Sequence, residues 1–182
     1  MAVSRPFRCR TYLMLNDLDR EIFAERAIVL AQYPDEPDEH VLLRFLAHVF
    51  FYDDHLEDAP GWIENGEPDA CVRALTGEMQ VWIECGPPPI KRLTKALGRH
   101  KDARFVCFFS DEDEARVSMD EIAKAKPRNL HQLEVHLVDA AMMARLEDVG
   151  SRSMTWSATI TEGRVWLDCD GEMVEGALQR LR

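Results

Sequence analysis

Residues 68–101, PDACVRALTGEMQVWIECGPPPIKRLTKALGRHK, decide how this chain is read. Met79, Val81 and Ile83 alternate with Glu78, Gln80, Trp82 and Glu84, the period-two pattern of a strand with two unlike faces. Ala70, Val72 and Ala74 alternate in the same way with Asp69, Cys71 and Arg73. Thr76-Gly77 between them predicts a two-residue hairpin loop. With that loop Leu75 opposes Glu78, Arg73 opposes Gln80, Cys71 opposes Trp82 and Asp69 opposes Glu84. Opposed residues share a sheet face with Cβ atoms roughly 4.5–5.5 Å apart. Two ionised carboxylates at that distance repel unless a proton or cation lies between them. A slip of one residue would send them to opposite faces.

Beyond Glu84, Gly86-Pro87-Pro88-Pro89 ends the strand, and a proline suits the first turn of a helix. Ile90, Leu93 and Leu97 recur at helical spacing, with Lys91, Arg92, Lys95 and Arg99 together on the other face. The apolar run 104–109, RFVCFF, suits a strand covered on both sides of a sheet. Strand, helix, strand in this order implies a right-handed crossover and a parallel pair. Sites in such sheets form beyond the carboxyl ends of the strands, where Glu84 and the start of the basic helix both fall.

The 182 residues carry 22 Lys and Arg against 33 Asp and Glu, a formal net charge of −11. Such a chain repels nucleic acid as a whole, yet residues 86–101 hold Lys91, Arg92, Lys95, Arg99 and Lys101 and no acid. Two readings compete for that face: an anion site on an acidic protein, and a solvated helix whose lysines keep the chain soluble. The length favours one domain over 1–182. No apolar run reaches the length of a membrane span, and the first ten residues lack the apolar core of a signal peptide. Five scattered cysteines without CxxC spacing point to reduced thiols and a cytoplasmic setting, and away from a zinc cluster.

The remainder reads as α with β, a mixed sheet flanked by helices. Strands are expected at 7–15 and 21–32, with a turn at 16–19 between them. A helix opens at Pro34-Asp-Glu-Pro-Asp-Glu39 and runs to about Tyr52. An irregular acidic segment follows over 53–67, with Asp53-Asp54-His55-Leu56-Glu57-Asp58 read as a solvated loop. Later elements are a charged helix near 113–124, a strand near 133–137, a helix near 140–146, and a hairpin of 154–160 with 164–168 around Glu162-Gly163. Residues 172–182 carry no clear pattern. Glu39 shares a helical stripe with Leu43 and Leu46, which points it partly toward the sheet; a first-turn carboxylate on the helix dipole reads equally well. Cys85 alternates onto the Ile83 face and reads as packing, and the histidines offer no Cys or Ser partner.

The pieces PDEPDEHVLLRFLAH (34–48), TGEMQVWIECGPPPIKRLTKALGR (76–99) and GRVWLD (163–168) resemble the YaeQ family, and the likeness runs along essentially the whole chain. That resemblance implies a compact, restriction-endonuclease-like variation on the PD-(D/E)xK nuclease core. Carried over, its pattern puts Glu39 in the helical position, Asp69 (after Pro68) in the second and Glu84 in the third. The superfamily lysine would stand two residues after Glu84, where this chain has Gly86; Lys91 or Lys95 would reach back instead. Glu84 also replaces a more frequent Asp and lengthens that arm by one methylene. The resemblance thus implies metal-dependent phosphodiester hydrolysis, with Asp69 and Glu84 holding Mg²⁺ or Mn²⁺ and Lys91 or Lys95 assisting the attacking water. Glu39 would serve a second metal or support the first, and Arg92, Arg99 and Lys101 would track the backbone of DNA or RNA. The rival expectation is a nucleic-acid-binding or regulatory protein that keeps the fold without the chemistry.

Overall fold

The computed structural model describes residues 7–33, 35–58, 66–149 and 153–182. Pro34, the middle of the acidic segment (59–65) and the first six residues, to which the leader expectation applies, lie outside them.

The hairpin that decides the reading is present. Strands β4 (Ala70–Arg73) and β5 (Met79–Cys85) run antiparallel, with Ala70 opposite Ile83, Cys71 opposite Trp82 and Val72 opposite Val81. The expected register holds from Ala70 to Val72, but the ladder ends at Ala70, and the Asp69 N–H bonds to the Ile83 carbonyl at 3.0 Å, one residue off the expected pairing of Asp69 with Glu84. The register also fails near the tip. A bulge between Val72 and Arg73 pairs Arg73 with Met79 rather than Gln80. Ala74 and Gly77 then close a longer loop, with Ala74 N–H on the Glu78 carbonyl and Gly77 N–H on the Ala74 carbonyl, both at 2.8 Å. Thr76-Gly77 lacks the turn chemistry that fixes a two-residue loop, and the bulge absorbs the extra residue.

Helix α2 (Ile90–Arg99) follows β5, and β6 (Arg104–Phe109) returns parallel to it, as the crossover argument requires. β6 is the middle strand of this half and is buried on both faces. Val106 and Phe108 enter one core beneath helix α1 (Asp38–Phe50), while Phe105, Cys107 and Phe109 enter a second beneath α2. This is why its sequence is nearly continuous in apolar residues. Each fully buried phenylalanine or leucine here contributes about 1.5–3 kcal/mol of transfer free energy.

The rest completes a ten-stranded mixed sheet. Strands β1 (Phe7–Asp17) and β2 (Ile22–Gln32) form a long hairpin, and β3 (Glu57–Asp58) caps β4. Helix α3 (Glu112–Ala125), β7 (Leu133–Val138), α4 (Ala140–Val149), β8 (Ser153–Thr161), β9 (Arg164–Cys169) and β10 (Glu172–Arg180) complete the order. The strands lie as β2-β1-β8-β9-β10-β7-β6-β5-β4-β3. Helix α1 begins at Asp38, later than the Pro34 start expected, with Pro37 at its N-cap. The unassigned C-terminus is strand β10, joined to β9 through Asp170 and Gly171 at φ +52° and +99°. Asp-Gly with two positive φ values is the chemistry of a tight hairpin, a signal present in the sequence. No helix among the described residues is long and apolar enough to cross a membrane.

Candidate carboxylate pocket and anion groove

Asp69 directly precedes β4, and Glu84 is the last residue but one of β5, near that strand's carboxyl end. Glu84 is 1% exposed. Its Oε1 accepts hydrogen bonds from Trp82 Nε1 at 2.8 Å and Arg92 Nε at 3.2 Å, and its Oε2 accepts from Arg92 Nη2. Burial, and then the charge of Asp69, push its carboxyl up to about 7, against the pull of Arg92 and Trp82. Asp69 Oδ2 accepts the Cys85 N–H at 2.7 Å, and its Oδ1 lies 3.5 Å from His40 Nε2.

Gly86 follows at φ +78°, its N–H on the Phe108 carbonyl at 2.7 Å. The backbone therefore leaves the strand at the residue where the superfamily lysine would stand. Lys91 and Lys95 do not fill that place; both line a separate groove on the outer side of α2. The α2 side chain that reaches Glu84 is Arg92, while Asp69 is met by His40 from α1.

A pocket of about 240 Å³ opens here, lined by Glu39, His40, Asp69, Arg92, Ser110 and Glu114 among others. Glu39 is exposed yet reaches across to the end of β6, accepting the Ser110 hydroxyl at 2.5 Å. Burial, Asp111 and Glu39 raise the Glu114 carboxyl above its ordinary value.

His40 was passed over by the sequence argument. It is the first of a stripe on the buried side of α1, His40, Arg44 and His48, spaced four apart and preceded by Glu36. Glu36 Oε1 accepts from His40 Nδ1 at 2.6 Å and Arg44 Nη1 at 2.9 Å, and its Oε2 takes the Tyr33 N–H at 3.0 Å. Arg44 Nη2 continues to Asp58 Oδ1 at 3.5 Å, and His48 Nε2 to Asp58 Oδ2 at 2.9 Å. Burial opposes a charge on His40, but the carboxylates of Asp69 and Glu36 prevail and lift it to about 9, so it is a cation at neutral pH. Glu36 is driven up by burial and then, more strongly, down by His40 and Arg44, leaving it lowered. Asp58, read as part of a solvated loop, is in fact strand β3 and a partner of the buried Arg44. Regular i, i+4 spacing was the available signal.

The groove beside the pocket has a volume of about 410 Å³ and is lined by Arg73, Lys91, Arg92, Lys95, Arg99 and His100, with Glu67 the one carboxylate among the described lining residues. Glu67 is ion-paired to Arg73. Among the described residues Lys91, Lys95 and Arg99 form no ion pair. Lys101 lies past the end of α2, outside this lining.

The described residues do not fit a hard divalent ion as they are arranged. Both oxygens of Glu84 and one of Asp69 accept N–H donors. No group of three His, Cys, Asp or Glu side chains with metal-binding geometry occurs among the described residues.

The YaeQ protein family profile matches residues 1–178. The chain belongs to the YaeQ family. "Uncharacterized protein YaeQ" of Salmonella typhi is 32% identical over 151 residues, covering 83% of this chain and 82% of that one. Its counterpart in Escherichia coli K12 is 31% identical over 159 residues, covering 87% and 86%. The crystal structure of the YaeQ protein from Xanthomonas axonopodis pv. citri superposes with a TM-score of 0.86 at 29% identity, over 97% of this chain and 98% of that one. The YaeQ protein from Pseudomonas syringae gives 0.85 at 27%, over 97% and 96%. This YaeQ chain therefore shares the mixed sheet flanked by helices with its solved relatives.

Proposed function

We propose that this YaeQ protein binds nucleic acid through the phosphate backbone, with the groove along α2 as the contact surface. The observation that carries the reading is the grouping of Arg73, Lys91, Arg92, Lys95 and Arg99 around one cavity on a chain of net charge −11. A concentrated positive groove on an acidic body attracts a polyanion locally while repelling it elsewhere, which favours one defined path. Contacts of this kind hold the backbone without reading bases. The test is fluorescence anisotropy with single- and double-stranded DNA and RNA across a salt series. The logarithm of affinity should fall with the logarithm of salt by roughly 0.7–0.9 per phosphate contacted. The paired substitution Lys91→Ala/Lys95→Ala should flatten that slope. Absence of salt-dependent binding to all four probes would overturn the reading.

Metal-dependent phosphodiester hydrolysis remains a second reading, favoured by Asp69 lying near enough to Glu84 for its charge to raise the Glu84 carboxyl. It requires Mg²⁺ or Mn²⁺ to displace Arg92 from Glu84. Incubation of nucleic acids with either ion, beside Asp69→Asn and Glu84→Gln controls, tests it directly. Cleavage that persists undiminished in both controls rules this site out.

A further inference from the structure

Arg92 belongs to two neighbourhoods at once. It lines the carboxylate pocket and the basic groove, and only 12% of its side chain is exposed. Its Nε and Nη2 both point at Glu84, so one edge of the guanidinium is fully used. Glu84 in turn is fixed by Trp82 Nε1 at 2.8 Å. The remaining nitrogen, Nη1, donates to no described residue. It is also absent from the side-chain atoms that are buried without a partner, which are His48 Nδ1, Gln132 Oε1 and His136 Nδ1. Nη1 is therefore not wholly sealed from solvent. A planar guanidinium clamped along one edge has lost most of its rotamer freedom before any ligand arrives, so its free donors engage a phosphate at little further entropic cost.

We propose that Arg92 is a pre-set phosphate-receiving arginine, with its Nε–Nη2 edge clamped by the buried Glu84 and its Nη1 donors offered to the groove. Glu84 is then a positioning residue for nucleic-acid binding. This deepens the groove reading and rests on it. It also accounts for the misfit to a divalent ion, because the guanidinium already occupies both oxygens of Glu84. Lys91 and Lys95, mobile ammoniums on exposed stems, add charge; Arg92 adds direction.

Simple electrostatics and the clamp predict opposite signs for one substitution. Glu84→Gln removes a negative charge close to a polyanion. On charge alone it tightens binding; if Glu84 orients Arg92 it weakens binding. The experiment measures anisotropy of fluorescein-labelled oligo(dT) and of a random-sequence duplex with the full chain, the folded state of each variant being checked by thermal melting. Arg92→Ala is expected to weaken binding about tenfold and Glu84→Gln about three- to tenfold. In an Arg92→Ala background, Glu84→Gln should weaken binding no further, because no side chain is left to orient. If Glu84→Gln fails to fold, Trp82→Phe removes the hydrogen bond that fixes Glu84, and it should weaken binding about two- to threefold. Tighter or unchanged binding by the folded Glu84→Gln or Trp82→Phe variant overturns the proposal. So does a weakening by Glu84→Gln that survives without Arg92. The paired Lys91→Ala/Lys95→Ala variant separates the two levels: if it leaves affinity unchanged, the groove reading itself has failed. If it weakens binding while Arg92→Ala and Glu84→Gln do not, only the clamp has failed. Tripolyphosphate binding more tightly than either oligonucleotide at equal salt would replace a polymer backbone with a free polyphosphate and overturn the assignment.

Discussion

Helices α1 and α2 pack on opposite faces of the same strands and treat charge in opposite ways. α1 turns His40, Arg44 and His48 inward, and Arg44 and His48 are at most 4% exposed. α2 turns Leu93, Ala96 and Leu97 inward and leaves Lys91, Lys95 and Arg99 outside, with Arg92 alone drawn in to Glu84. The first arrangement is costly unless every charge finds a partner, and Glu36, Asp58 and Asp69 supply them. The second costs nothing to the fold and leaves its charge available to a ligand. Buried charge on α1 is paired within the architecture around the pocket; exposed charge on α2 is what the proposed recognition would use.

The contrast is most easily broken at Arg44. Arg44→Ala strands Glu36 and Asp58 without their shared counter-ion, and should cost about 3–5 kcal/mol. Chemical denaturation measures it, and a loss below about 1 kcal/mol would mean that the α1 stripe is not a coupled network.

His40 gives the next effect through pH. Its folded value, about 9, exceeds the unfolded 6.5, so its contribution is complete below pH 6.5 and is lost as pH rises through about 9. Stability should fall by about 1–3 kcal/mol over that window, and His40→Gln should flatten the profile. Glu84 acts in a lower window. Its folded value of about 7 exceeds the ordinary 4.5, so the stabilisation from its protonated form is full below pH 4.5 and is lost by about pH 7. A slope of about 1–2 kcal/mol there should vanish in Glu84→Gln. At the small end, Lys95→Ala should change stability by no more than about 0.5 kcal/mol while lowering the salt slope of nucleic-acid binding by about 1. A Lys95 variant as destabilised as the Arg44 one would erase the distinction between the helices.

What the sequence made legible follows the same divide. Period-two patterning between Asp69 and Glu84, the basic face of α2 and the apolar run of β6 were readable because each obeys a local rule. The bulge at Val72 and Arg73 was not, since it answers to the loop geometry beyond it. β10 was missed although Asp170-Gly171 announces its turn, because residues 172–180 have one face against α4 and mixed polarity on the other. The partners of the α1 stripe were hidden for a different reason. Arg44 meets Asp58 and His40 meets Asp69 across long sequence separations, and no local pattern shows which acid a buried cation will find. That also explains why Arg92, and not Lys91 or Lys95, reaches Glu84: the choice depends on how α2 sits over Trp82.

Gly86 constrains protein engineering. Adding an ammonium there to rebuild the superfamily arrangement places a side chain where L-residues are strained by about 1–2 kcal/mol, at the start of a chain reversal. Open space around its Cα would admit the stem without collision, so the cost lies in the left-handed backbone and not in packing. A designer seeking hydrolysis would have to rebuild the Gly-Pro-Pro-Pro corner first.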